Sequence, residues 1–353
     1  MKKILILLSL FFACYSNSFS QWQLSLTFNT NETIAAISAP TDNVIWTVTN
    51  NFFIYKTIDG GNTWKRIKCK GLAANISVLQ LYVINASTAF LSVNTGFTGV
   101  GPGIIYKTTD GGSNWKQVFN HVGNCEILIG MFDANKGLMS CNFSSFNGSI
   151  KPGQSLYYTV NGGNMWKIDT INNPTKQFIN SLVIHGRQVA LSDLNFFNYS
   201  SKYGLTWTRQ KFPENSTNQL MQFEDSSYIV TLTTSSTQVI VKLPGSNAWI
   251  TSNATSNNLI SCLVLDGNEC WLGEALDTKN NYYSSDSAKT FTPFIADPNS
   301  GFQFLTKARI GKTLVGGTPS FMTGKIWINK RQATIAPRPP LNYEARQKVV
   351  EKP

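Results

Sequence analysis

Histidine, cysteine and charge are all scarce in this chain, and each shortage removes a class of function. His121 and His185 are the only imidazoles in 353 residues, and no two cysteines form a CxxC pair. That excludes a zinc site of ordinary spacing, and no metal or cofactor is expected. A Ser-His-Asp triad would have to recruit one of those two histidines, and neither lies near a nucleophile elbow. Charged residues make up only 14% of the chain, with 19 acids against 30 Lys and Arg. Long apolar runs are also missing: beyond residue 20 no segment approaches the roughly eighteen uninterrupted apolar residues that a membrane-spanning helix needs.

The surface is solvated instead by Asn, Ser, Thr and Gly, and aromatics reach 12%. That balance is typical of β-rich chains. The formal charge of +11 suits anionic partners such as an acidic protein, an acidic glycan or lipid headgroups. The basic residues are scattered and form no nucleic-acid patch.

The first twenty residues read as an export signal. Lys2 and Lys3 precede an apolar run from Ile4 to Ala13, and Asn17-Ser18-Phe19-Ser20 places small residues before a cut at Gln21. The expected location is the periplasm, the outer-membrane region or the cell exterior. Cys14 offers the alternative of a lipid anchor; against it, Phe11-Phe12-Ala13-Cys14 lacks the usual aliphatic residue. Cleavage leaves Cys69, Cys125, Cys141, Cys262 and Cys270, an odd number, so at least one thiol stays free or pairs outside the chain. Cys262 and Cys270 flank a hairpin turn at Leu265–Glu269 and could bridge, or could equally be ordinary buried thiols.

The chain then repeats itself. Tyr55-Lys56-Thr57-Ile58-Asp59-Gly60-Gly61-Asn62-Thr63-Trp64 returns as Tyr106-Lys107-Thr108-Thr109-Asp110-Gly111-Gly112-Ser113-Asn114-Trp115. It returns again at Tyr158–Trp166, with Asn161 for the aspartate and Gly163 kept. Weaker copies end at Trp207, at Trp249 and, through Asp286, at Phe291. The closing aromatics stand 51, 51, 41, 42 and 42 residues apart, periods that fit four short strands per propeller blade. Each conserved type has turn chemistry to do. The carboxylate accepts backbone N–H groups across the turn, glycine supplies a positive φ, and the tryptophan buries a large apolar surface between blades. Asp59, Gly61, Trp64, Asp110, Gly112, Trp115, Asn161, Gly163, Trp166, Trp207, Asp286 and Phe291 are therefore structural candidates rather than catalytic ones. Lys202 and Pro244 lack the acceptor, so their blades must hold by packing.

This Ser/Thr-x-Asp-x-Gly-x-Thr-Trp pattern resembles the Asp-box of sialidases, sortilin-type receptors, xyloglucanase-type glycosidases and photosystem II assembly-factor-like propellers. The resemblance covers nearly all of the chain beyond residue 20 and implies an all-β propeller with the boxes between strands 3 and 4. It does not choose among those activities.

Between the boxes runs a second repeat, an apolar hairpin. It occurs at Ile37–Val48, Leu81–Val93, Ile127–Met139, Phe178–Leu191, Leu220–Leu232, Leu259–Leu272 and Phe304–Val315. Seven hairpins against six boxes leave one outer strand missing. Trp22-Gln23-Leu24-Ser25-Leu26 resembles Trp64–Ile67 and can pair beside Lys325–Ile328, removing an exposed edge. The expectation is a seven-bladed propeller over 21–330 closed by its N-terminal strand, with a basic, Pro-containing tail at 331–353.

The two longer periods place extra residues between strands 2 and 3, at Asn94–Gly103 and Asn142–Gly153. Phe97, Phe143, Phe146 and Lys151 on those connections are the candidate ligand-binding residues, suited to a protein hot spot or to stacking on a sugar. A glycosidase would need two facing carboxylates. Asp42, Asp133, Asp225, Asp266 and Glu269 fall in turns on the opposite face, while Asp169, Glu214 and Asp297 lie nearer but nothing marks a pair. The expected function is a protein-binding or scaffold module of the cell envelope or surface, with a partner protein that is acidic; the alternative is a glycoside hydrolase or carbohydrate-binding propeller.

Overall fold

In the computed structural model the described residues are 22–331, apart from 96–100, 144–152, 194, 214–217, 226–227, 234–238, 243–247, 253–259, 275–279 and 319–322. They contain strands, turns and no helix, hence no helix long and apolar enough to cross a membrane. Residues 1–21, which include Cys14, and residues 332–353 fall outside this range.

The strands follow the two sequence repeats. A lone strand, β1 (Gln23–Thr27), comes first. The first four-stranded unit is β2 (Ile34–Ser38), β3 (Ile45–Thr49), β4 (Phe53–Thr57) and β5 (Lys65–Lys68). The second is β6 (Ile76–Val83), β7 (Ala89–Thr95), β8 (Pro102–Thr108) and the first half of β9 (Lys116–Met131). The second half of β9 opens the third unit, with β10 (Gly137–Phe143), β11 (Gly153–Thr159) and β12 (Lys167–Ile168). Two units are complete in β13 (Ile179–His185) to β16 (Thr208–Lys211) and β17 (Asn218–Asp225) to β20 (Trp249–Thr251). A sixth runs from β21 (Ile260–Asp266) to β24 (Thr292–Phe294). The chain then gives β25 (Phe304–Lys307), β26 (Leu314–Thr318) and β27 (Lys325–Asn329), and β1 lies antiparallel beside β27, with Gln23 opposite Ile328 and Leu24 opposite Trp327. Ser25 reinforces this position, donating to Gly61 O (2.7 Å) and accepting from Trp64 Nε1 (3.0 Å).

Burial within a unit explains its composition. Ile-Trp-Thr-Val-Thr of β3 is buried on both faces, because neighbouring units cover both sides of the middle of each sheet. The outermost strand of the same unit reads Lys-Arg-Ile-Lys and is mostly exposed. Charge on that outer edge discourages pairing with another chain.

The first strands of successive units lie side by side: β2 against β6, β6 against β9, then β13, β17, β21, β25 and again β2. One apolar cluster fills each space between adjacent units. In each, the closing aromatic of a unit packs toward the unit before it. Trp115 joins Trp46 and Ile54, Trp166 joins Phe90, and Trp207 packs at Leu138 and Leu156. Trp22 takes that position between the sixth unit and β25–β27, with its ring centroid 4.6 Å from that of Phe302. The sequence spacing assigns all the extra length of the second and third units to connections. The structure puts part of it into the strands: β6, β7 and β8 have 8, 7 and 7 residues, against 5 in each of β2, β3 and β4.

Candidate functional site

The innermost strands surround a cavity of about 520 Å³. Its wall is mainly backbone and small or apolar side chains, with Gln80, Asn180, His185, Gln303, Lys307 and Arg309 as the larger polar side chains. Gln80 is structural: its amide donates to Ile129 O and accepts from Ile129 N (3.1 and 2.7 Å), zipping one innermost strand to the next.

One end of the cavity is bounded by the turns joining first and second strands, and here cations gather. Arg309 reaches from the last unit to Val83 O and to Ser38 Oγ (3.5 Å), with its guanidinium 4.3 Å from the Tyr82 ring centroid. Asp266 is buried among Lys307 (2.5 Å), Lys312 (3.0 Å) and Arg331, and Arg331 also pairs with Glu269 and lies over Trp271. Burial alone would raise the Asp266 pKa, but hydrogen bonds and charge from Lys307, Lys312 and Arg331 outweigh it and hold the carboxyl below its ordinary 3.8. The sequence reading passed over this cluster; the visible signal was Lys307, Arg309 and Lys312 at two- and three-residue spacing in one turn.

The repeated turns lie between the third and fourth strands, and those of Asp59, Asp110, Asn161 and Asp286 share one bonding pattern. Thr57 Oγ1 accepts from Gly61 N (2.9 Å) and donates to Asp59 Oδ1 (2.7 Å), which accepts from Thr63 N (2.9 Å). Thr108, Asp110, Gly112 and Asn114 reproduce this at 3.1, 2.8 and 3.0 Å, and Asn161 accepts from Met165 N at 3.0 Å. Asp286 takes Thr290 N at 2.9 Å. Ser200 keeps the hydroxyl bond to Gly204 N (3.1 Å) in the copy where Lys202 stands for the acid. These bonds depress the acids: the Asn114 amides draw Asp110 down to about 2, and Asp286, despite the opposing effect of burial, reaches about 2 through Thr290. Gly112 and Gly163 have φ of +95° and +72°, and a Cβ on them would meet Trp46 and Phe90 of the preceding unit at 3.1 and 2.5 Å. Each turn thus seats against its neighbour. Lys56 and Lys107 add a clasp, donating to Gly111 O (3.3 Å) and Gly162 O (2.7 Å) of the next unit.

The buried carboxylates are committed likewise. Glu32 accepts from Tyr55 and pairs with Arg66, Asp193 holds Phe196 N (2.8 Å), and Asp297 pairs with Lys325 (3.0 Å). Asp169 holds Asn172 N (2.8 Å) in a connection between units. Glu214 lies outside the described residues.

Phe97, Phe146 and Lys151 also lie outside the described residues. Phe143 is the last residue of β10, and its side chain is not described. The roots of these connections are clear: Thr95 ends β7, and Phe143 stands opposite Cys125 at the start of the third unit. The disulfide expectation needs correction. Cys262 and Cys270 are buried free thiols, and the bridge is Cys125–Cys141, with Cα atoms 5.8 Å apart. Cys262 pairs with Gly273 and Cys270 with Leu265, so the two point to opposite faces of one hairpin. Cys125 and Cys141 are diagonal neighbours on one face, as Cys141 stands opposite Ile127. Burial pushes the Cys262 thiol up to about 12 and Cys270 well above its usual value, so both are unreactive.

This architecture, with its box turns, has known relatives. The description of the photosynthesis system II assembly factor YCF48 family matches residues 15–294. The chain belongs to the YCF48 family. No curated protein matches it by sequence. Among solved structures, a YCF48 bound to a D1 peptide superposes with a TM-score of 0.62 at 15% identity, covering 88% of this chain and 95% of that one. YCF48 from Cyanidioschyzon merolae gives 0.60 at 17%, covering 88% and 99%. The GH74 xyloglucanase from Xanthomonas campestris gives 0.62 at 11%, covering 90% of this chain and 54% of the enzyme. At these identities the likeness is one of fold, an all-β propeller.

Proposed function

We propose that this YCF48-family chain is an exported, seven-bladed propeller that binds a segment of another protein, an envelope or surface protein of acidic character, and holds it for assembly. The observation that carries this reading is family membership together with a relative of the same fold and nearly the same length solved with a bound peptide. Seven blades are supported by the seven apolar clusters and the unbroken succession of innermost strands from β2 back to β2; closure by the N-terminal strand is supported by its pairing with β27. Export is supported by the basic, apolar and small-residue stretches of residues 1–20. Among the described acids, Asp59, Asp110 and Asp286 are engaged in turns and Glu32, Asp266 and Asp297 in buried ion pairs, an arrangement that supports a role in stabilising the fold.

The binding face in this proposal is the end of the cavity that carries the connections 96–100 and 144–152, with Phe97, Phe143 and Phe146 as anchors and Lys151 as a positive rim. Full-length chain without the first twenty residues is immobilised against solubilised envelope proteins, and the captured protein is then purified and titrated. Shortening both connections should weaken its binding more than tenfold while leaving the melting temperature nearly unchanged, since surface connections add little to the core. Undiminished affinity in the shortened protein moves the site away from this face. Turnover of a glycan substrate with no protein partner would overturn the reading altogether.

A further inference from the structure

We propose that His121, Cys125 and Cys141 form a redox-gated site for a zinc-class cation, closed as a disulfide and opened by reduction. Nε2 or Nδ1 of His121 and the two sulfurs all lie within 4.8 Å of one another. The place is defined by the fold. β9 serves two units, and where it passes from one to the other its register against β8 shifts, with Gly103 opposite His121 and Pro102 opposite Asn124. Gly123, at φ +124°, lies in that passage. The irregularity brings an imidazole from the outer strand of the second unit beside two sulfurs of the third.

In the structure the sulfurs are bonded to each other. A dithiol reductant would transfer two electrons and two protons to the bridge, becoming a disulfide itself and leaving two thiols. Those thiols would not separate, because β9 and β10 stay paired from Cys125–Phe143 to Met131–Gly137. A zinc ion then displaces both thiol protons and takes two thiolates and the neutral imidazole, releasing two protons. Zinc–sulfur bonds of about 2.3 Å in a tetrahedron put the sulfurs about 3.8 Å apart, within the present spread of ligand atoms. Three protein ligands leave the fourth position to water, the arrangement of an open rather than a purely structural zinc site. Both cysteines are buried, whereas His121 is half-buried and gives the side of entry. The site stands at the root of the connection 144–152, since Cys125 is opposite Phe143, and Cys125 N–H donates to Gly101 O (3.1 Å) just beyond 96–100. Oxidation state and metal would therefore bear directly on both connections.

The test is zinc uptake by the full chain without its first twenty residues, oxidised and anaerobically reduced, in competition with a chromophoric chelator. The expected result is one zinc per reduced chain and none per oxidised chain. His121→Gln should weaken uptake tenfold or more. The Cys125→Ser/Cys141→Ser double variant, which keeps Cys69, Cys262 and Cys270, should lose it. Cobalt in place of zinc should give thiolate-to-metal charge-transfer bands that the double variant lacks. Absence of stoichiometric uptake by the reduced chain, or uptake undiminished in His121→Gln or in the double variant, would overturn the proposal.

Discussion

Phe28 tests whether the N-terminal segment is part of the core or an appendage laid on it. The side chain is 3% exposed, its ring centroid is 4.7 Å from that of Tyr55, and its backbone N–H donates to Gly324 O at 2.9 Å. A Cβ on Gly324 would come within 2.9 Å of the Phe28 ring, so the phenyl fills space that glycine leaves open. Phe28→Ala removes that contact between the first unit and β27 and leaves a cavity, which costs about 3–5 kcal/mol for a phenylalanine truncated in a packed core. With a urea dependence of about 3 kcal/mol per molar for a chain of this size, the unfolding midpoint should fall by roughly 1 M or more. Phe28→Leu keeps most of the volume and should cost under about 1.5 kcal/mol. The assay is urea unfolding followed by tryptophan fluorescence, with unchanged slope as the check that the same surface is exposed. A midpoint shift below about 0.3 M for Phe28→Ala would refute the claim that this segment completes the core.

Other expectations follow from the turns and ion pairs. Asp110→Ala should lower stability by about 1 kcal/mol through loss of its turn hydrogen bonds, whereas Asp110→Asn should retain most of it, as Asn161 does in the third unit; thermal melts separate the two. Because Asp110 and Asp286 are held near 2 against an ordinary 3.8, their contribution is complete above about pH 4 and lost as pH falls toward 2. Acid unfolding of Asp110→Asn should accordingly be shallower in that window than that of the parent. Asp266→Ala strands Lys307 and Arg331 in a largely buried cluster and should cost about 3 kcal/mol, read as a lower urea midpoint. An unchanged midpoint would mean that the cations relax into solvent.

Local requirements were legible in the sequence. A turn that needs an acceptor, a positive φ and a bulky aromatic within eight residues leaves few residue choices, so Asp59, Asp110 and Asn161 announce their role and the period announces the sheets. The apolar hairpins were equally plain, because the middle of each sheet is buried on both faces. Trp22 could be matched to Trp64 by the likeness of the two segments and their spacing, and it packs between the sixth unit and β25–β27. What no spacing carried was contact between residues far apart in the chain. The cation cluster at Asp266 joins residues 266, 307, 312 and 331, and Arg309 reaches Val83, 226 residues away in the chain.

The disulfide was decided in the same way. Cys262 and Cys270 flank a turn, but strand alternation turns them to opposite faces, and a register difference of one residue would have reversed that result. Cys125 and Cys141 are sixteen residues apart with nothing local to join them; they meet because their strands pair in one particular register. Short-range chemistry, set by φ, hydrogen-bond acceptors and side-chain volume, was written in the order of residues. Register and long-range charge arise only when the sheets pack, because each depends on which face of one strand meets which face of another.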